Sequence, residues 1–191
     1  KKAICPNDEA LVVHTSNFRK VKRVNDVIRI FANIHDEIPS KLLMIGDGPE
    51  RTKAETLCRE LGISDAVRFL GKLEAVEEVL SVADLFLMPS EKESFGLAAL
   101  EAMACEVPVV SSNTGGLPEL NIQGVTGFMS PVGDIEDMTQ KSLFVLNNAN
   151  LPGFKANALK RAQEFDITRI LPLYEDYYQR IMEKTASRAT I

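Results

Sequence analysis

The 191-residue chain is poor in cysteine: Cys5, Cys58 and Cys105 are odd in number and far apart. No CxxC occurs, so neither a zinc ribbon nor a disulfide framework is supported, and a reducing, cytoplasmic compartment fits best. Positive charge is not in excess. Lys and Arg number 22 against 27 Asp and Glu, a net charge of −5. That excludes a general nucleic-acid binder and confines any phosphate site to one locality. No window approaches the ~18 apolar residues of a membrane helix. The opening KKAICPNDEA lacks the apolar stretch of a signal peptide. Its polar start, followed at once by a strand, fits a fragment or one domain of something longer. Gly 11 and Pro 9 are too few for collagenous or low-complexity structure. HExxH and GxSxG are absent, and Asp84 stands alone where a DxD pair would hold a metal diphosphate. No metal site and no cofactor are expected. His14 and His35 read as a strand-end and a helix-face residue rather than as ligands or bases.

What is present is an ordinary globular composition, 45% apolar and 26% charged, enough to bury a core. Short apolar runs alternate with helical spacing. Strands are predicted over Ala10–His14, Lys41–Ile45, Val67–Leu70, Leu85–Met88, Val107–Ser111 and Gly127–Met129. Helices are predicted over Val24–Ile34, Glu50–Leu61, Val76–Ala83 and Phe95–Cys105. Strand, crossover helix, strand, repeated, gives an α/β doubly wound parallel sheet, Rossmann-like. Three further helices, Ile135–Leu146, Phe154–Phe165 and Ile167–Lys184, follow, with Asn147–Gly153 as a loop and Thr185–Ile191 as a frayed tail.

Ligands of such a sheet bind beyond the carboxyl ends of its strands, so the loops there carry the functional reading. After the first strand, four of the five residues Arg19–Arg23 are basic. Three readings compete: a solvated charge run, a nucleic-acid patch, which the net negative charge disfavours, and a phosphate clamp, since Arg and Lys suit phosphate oxygens. Gly46-Asp47-Gly48-Pro49 is a tight turn or the border of a nucleotide site, but neither a Walker A loop nor GxGxxG. Glu93–Glu101 is the most informative stretch. The helix GLAALEAMAC is apolar nearly all round, so it is expected to be buried. A buried Glu101 needs hydrogen-bond partners, and ligand hydroxyls supply them. Gly96 opens the first-turn amides to an anion, with Glu93 just before them. Phosphate plus hydroxyls describes a nucleotide sugar. Gly115-Gly116-Leu117-Pro118 reads as a turn into a helix start.

Taken in order, the basic loop, GDGP, the E-x7-E segment ESFGLAALE, and GGLPE resemble the donor-binding half of retaining GT-B glycosyltransferases of family 4, from about Leu11 to Lys184. Within it, HTSNFRKVKRVNDVI, KLLMIGDGPE and SEKESFGLAALEAMAC are closest to the branch that moves N-acetylglucosamine from UDP to L-malate in bacillithiol biosynthesis. The family's commoner first loop is G-R-x-x-x-x-K-G. Here Lys22 keeps the lysine, Asn17 stands at the arginine and Arg23 at the second glycine. The resemblance implies Lys22 on the diphosphate, helped by Asn17 or Arg19. It implies Glu101 on the ribose, Glu93 beside the donor sugar, and Phe95–Leu97 amides, with Ser94 and Gly96, on phosphate and sugar. Leu70 to Leu73 would lie against the uracil. Glu93 and Lys22 would be the catalytic pair. Residues 1–184 would form the donor domain. The acceptor domain would be missing, with Leu173, Tyr174, Tyr177 and Ile181 resembling the segment that returns to it. A UDP-sugar is then the expected partner, without nucleic acid or a membrane span, and a homo-oligomer stays open. A GT-B sugar-nucleotide epimerase and a non-catalytic UDP-sugar module are the other readings.

Overall fold

The computed structural model describes residues 1–189, with the side chains of 184 and 186–189 left aside. Six strands form one parallel sheet in the order β3-β2-β1-β4-β5-β6. They are β1 (Ala10–Thr15), β2 (Ser40–Ile45), β3 (Val67–Gly71), β4 (Leu85–Met88), β5 (Val109–Ser112) and β6 (Gly127–Ser130). The expected fold class is therefore present. β1, β2 and β4 are short and nearly continuously apolar, because both faces of the sheet are covered there; the edge strand β3 leaves Arg68 and Leu70 exposed, and β5 ends in the buried Ser111 and Ser112. Val12, Leu42, Met44, Leu85 and Val110 share one core with helices α1 (Val24–Glu37), α2 (Arg51–Glu60) and α6 (Ile135–Leu146). Leu11, Val13, Leu43, Phe86 and Val109 share the other with α3 (Val76–Leu80), α4 (Leu97–Ala104), α5 (Leu117–Leu120) and α7 (Leu151–Gln163). Alternate residues of each strand thus serve opposite faces.

The sheet reverses direction of winding between β1 and β4. Their register pairs Val12 with Leu85 and Val13 with Phe86, and named pairing ends there. Beyond it, at the carboxyl ends of the strands, lies the topological switch point, where doubly wound sheets have their ligand crevice. At the opposite edge Asp84 ties the elements together. Its carboxylate accepts from the Leu11 N–H (2.9 Å), from Lys155 Nζ (3.1 Å) and from Lys1. Burial pushes this carboxyl up, but the Lys1 and Leu11 hydrogen bonds and the Lys155 charge outweigh it and hold it below its ordinary value.

Several boundaries differ from the sequence expectation. α7 begins at Leu151 because Pro152 fits a first helical turn, so the preceding loop is shorter than expected. α4 begins at Leu97, with Gly96 as its cap at φ 97°. The final helix α8 (Ile167–Ala189) runs through the stretch expected to fray; Thr190 and Ile191 lie outside the described residues. Residues 171–183 of α8 are all exposed, Leu173, Tyr174, Tyr177 and Ile181 among them. No helix among the described residues is long and apolar enough to cross a membrane.

Candidate functional site

The loops after β1, β2, β4 and β5 converge on the crevice. After β1 the chain turns through Ser16-Asn17-Phe18 and a short 3-10 turn at Lys20–Lys22. Phe18 is fully buried and adopts a left-handed φ of 39°. Its carbonyl accepts the Glu50 N–H at 2.9 Å. Gly46, at φ 115°, lies so close to this loop that a Cβ there would sit 1.8 Å from the Ser16 carbonyl oxygen. The GDGP turn is thus a backbone-to-backbone brace for the basic loop, which only glycine permits. Gly46 N–H also donates to Gly71 O at 2.7 Å, which joins the β3 end to the same group.

The β4–α4 loop is held from both sides. Glu91 N–H donates to Val21 O (2.8 Å), Thr114 Oγ1 donates to Glu91 O (3.1 Å), and Ser112 Oγ donates to Ser90 O. A Cβ on Gly115 would lie 1.7 Å from Glu93 O, so the Gly115-Gly116 turn is a second brace. Within this frame Lys22 Nζ meets Glu93 Oε1 at 2.5 Å, and Ser90 Oγ donates to the same oxygen at 2.9 Å. Both partners are mostly covered, with side-chain exposures of 20% and 9%. No side chain caps α4, which leaves its first-turn amides available to an anion. A cation, a carboxylate and a helix start therefore stand together at the switch point.

The other expected residues are more dispersed. Asn17, Arg19 and Lys20 are exposed on the rim of the β1 loop. Arg23 is turned to Asp26, 2.5 Å away, so it is not an unengaged cation. Ser94 is exposed, and Phe95 packs edge-on to Phe165 with ring centroids 5.5 Å apart. Leu70, partly exposed, and Leu73, packed against the second core, flank the end of the edge strand β3. One strand, β2, separates them from β1 and Lys22, and two, β2 and β1, from β4 and Glu93.

One expectation fails. Glu101 is exposed, not buried. α4 buries only Ala99, Ala102 and Met103, while Leu97, one turn before Glu101, is 66% exposed. The helix is apolar in composition but leaves one face open, so the buried-carboxylate argument for Glu101 does not hold. Its backbone carbonyl accepts the Cys105 N–H at 3.2 Å, but among the described residues the Glu101 carboxylate makes no hydrogen bond or ion pair inside the fold. Sequence reading also missed Ser90, which follows β4 at Pro89 and orients Glu93. It gave His14 no part in the site, although its ring contacts Leu87 O and Ser16 Oγ, both at 2.8 Å. Burial pushes the His14 pKa down to about 4, with the Lys22 charge adding to it, so the ring is neutral.

Known proteins resemble both the sequence and the fold. The family described as "Glycosyl transferases group 1" matches residues 1–163. N-acetyl-alpha-D-glucosaminyl L-malate synthase of Bacillus anthracis is 43% identical over 179 residues, 91% of this chain and 46% of that protein. The sucrose-phosphate synthase structure (tll1590) of Thermosynechococcus elongatus superposes with a TM-score of 0.84 at 28% identity, over 96% of this chain and 48% of that one. Anabaena Alr3699/HepE in complex with UDP and glucose gives 0.79 at 25% identity, over 97% and 50%. The chain spans about half the length of the curated relatives it matches.

Proposed function

This chain belongs to the glycosyl transferases group 1 family, and from that premise we propose that it is the donor-binding half of a retaining, GT-B-type enzyme of family 4 that moves N-acetylglucosamine from UDP to L-malate, a step of bacillithiol assembly in the cytoplasm. The observation that carries this reading is the meeting of Lys22, Glu93 and the uncapped start of α4 at the switch point of the sheet. A nucleoside diphosphate sugar offers partners for each: charge for Lys22 and the amides, hydroxyls for Glu93. Similarity to the malate synthase supports the finer choice of sugar and acceptor.

In this reading the acceptor hydroxyl attacks the anomeric carbon on the face from which UDP departs. The new carbon–oxygen bond forms as the bond to the phosphate oxygen breaks; UDP leaves with the electron pair, and the acceptor's hydroxyl proton passes to the departing phosphate oxygen on the same face. Negative charge grows on the diphosphate, where the helix amides, and Lys22 once the diphosphate has drawn it from Glu93, stabilise it; one such donor contributes about 3 kcal/mol. Arg19 or Asn17 adds a further contact from the rim. Glu93, oriented by Ser90, holds the sugar, and Glu101 takes the ribose hydroxyls from an exposed face. Leu70 and Leu73 border the base. The acceptor is held by a second domain, and the exposed apolar stripe of α8 fits a helix that packs on that domain. The test is donor turnover by the protein that carries this chain. UDP release from UDP-N-acetylglucosamine should depend on L-malate and yield the α-linked product. Release indifferent to malate, or a β-linked product, contradicts the proposal.

A further inference from the structure

His14 occupies the point where β1 and β4 separate. It is fully buried, and named β1–β4 pairing stops one residue earlier, at Val13 with Phe86. The next acceptor along β4, the Leu87 carbonyl, takes the His14 ring in place of a backbone N–H, at 2.8 Å from Nδ1. A carbonyl only accepts, so Nδ1 carries the hydrogen. A neutral imidazole then has a bare Nε2, and Ser16 Oγ, 2.8 Å away, must donate to it. With its hydrogen committed, the Ser16 oxygen accepts the Phe18 N–H at 3.3 Å. One directed chain of hydrogen bonds thus runs from Phe18 N–H through Ser16 and His14 to Leu87 O. It links the loop that delivers Lys22 to the strand that delivers Glu93.

We propose that His14 is a positioning residue for donor binding: its neutral ring fixes Ser16–Phe18 against β4 and thereby sets Lys22 where it meets the diphosphate. The inference rests on the donor-binding reading above. The ring is wedged beside Phe18 and Phe86, with centroids 6.2 and 6.4 Å away, so it has little room to turn. The braces at Gly46 and Gly48 press on the Ser16 and Asn17 carbonyls, the same residues whose conformation the hydrogen-bond chain selects. A side chain with similar volume but no ring nitrogen would fill the space and release the loop. Such a change acts on phosphate contacts and leaves the base-binding side of the cleft untouched.

The experiment compares UDP with uridine as ligands of this chain, for the parent, His14→Phe and Ser16→Ala. Calorimetry gives the affinities, and thermal melts establish that each variant is folded at the working temperature. His14→Phe is expected to weaken UDP about tenfold, the size of one lost charge-assisted contact, with uridine changed less than about twofold. Ser16→Ala, which cuts the same chain at a partly exposed position, is expected to shift UDP in the same direction by a smaller factor. It decides the matter if His14→Phe does not fold. Unchanged UDP affinity in a folded variant, or equal losses for UDP and uridine, overturns the positioning role. Failure of the parent chain to bind UDP would instead remove the donor-binding reading.

Discussion

Replacing Glu93 with Gln is predicted to tighten the binding of UDP while abolishing sugar transfer. In the ligand-free chain the Lys22 charge is neutralised by Glu93 at 2.5 Å. A diphosphate arriving at Lys22 must therefore compete with that carboxylate and approach it. Two like charges about 5 Å apart at an effective dielectric near 20 repel by about 3 kcal/mol. The rim of the cleft is partly wet, so about 1–2 kcal/mol of this should be realised, or roughly 5–30-fold in affinity. Gln keeps the shape and the Ser90 contact but leaves the mostly covered Lys22 charge uncompensated, so the ligand-free chain should lose about 1–3 kcal/mol of stability. Lys22→Met should act in the opposite direction and weaken UDP by about 1.5–3 kcal/mol. Neither variant should alter uridine binding. Calorimetry with UDP and uridine reads all of this. Weaker UDP binding by Glu93→Gln, of the same size as for Lys22→Met, would refute the reasoning, because the carboxylate would then be a support for the phosphate site rather than its competitor.

Glu101→Gln should leave the melting temperature within the scatter of surface substitutions, about 0.5 kcal/mol, since the carboxylate is exposed and unpartnered in the fold. If it binds ribose, UDP should weaken by about 1.5–3 kcal/mol while UDP binding by Lys22 variants stays additive with it. Gly46→Ala should cost about 2–4 kcal/mol in urea unfolding, because its Cβ meets the Ser16 carbonyl in a left-handed backbone position. An unchanged urea midpoint would mean that the brace yields. Burial lowers His14 to about 4 from its ordinary 6.5, so the unfolded chain binds more protons between those values. Stability should therefore fall as pH drops from about 6.5 to 4, by up to about 3 kcal/mol from this group alone. His14→Phe should remove that share of the slope, as measured by denaturation at stepped pH.

The sheet was legible because buried parallel strands are short continuous apolar runs bounded by turn residues, as in KLLMI before GDGP. Errors at element ends have local causes. Pro152 starts a helix rather than ending a loop, and Gly96 caps α4 where the apolar pattern had already begun. The loops of the candidate site were legible as composition: a cation-rich stretch, paired glycines, two carboxylates with seven residues between them. Their geometry was not. Whether Glu101 is buried depends on what packs on each face of α4, and hydrophobicity alone does not say which face meets the sheet. Lys22 and Glu93 are 71 residues apart, and His14 and Leu87 are 73 apart. Such contacts are set by strand order, which no local pattern encodes. The braces at Gly46 and Gly115 belong to the same class, since each glycine answers to a loop far away in the chain.

The position of UDP on the chain is the decisive property. Titration of the 15N-labelled chain with UDP, followed by amide shifts, tests it directly. The predicted perturbations cluster at Ser16–Arg23, Ser90–Ala98 and the Gly46–Gly48 turn, at the carboxyl ends of the strands. No perturbation at millimolar UDP, or shifts confined to the opposite edge around Glu77, Cys105 and Lys155, would contradict the account.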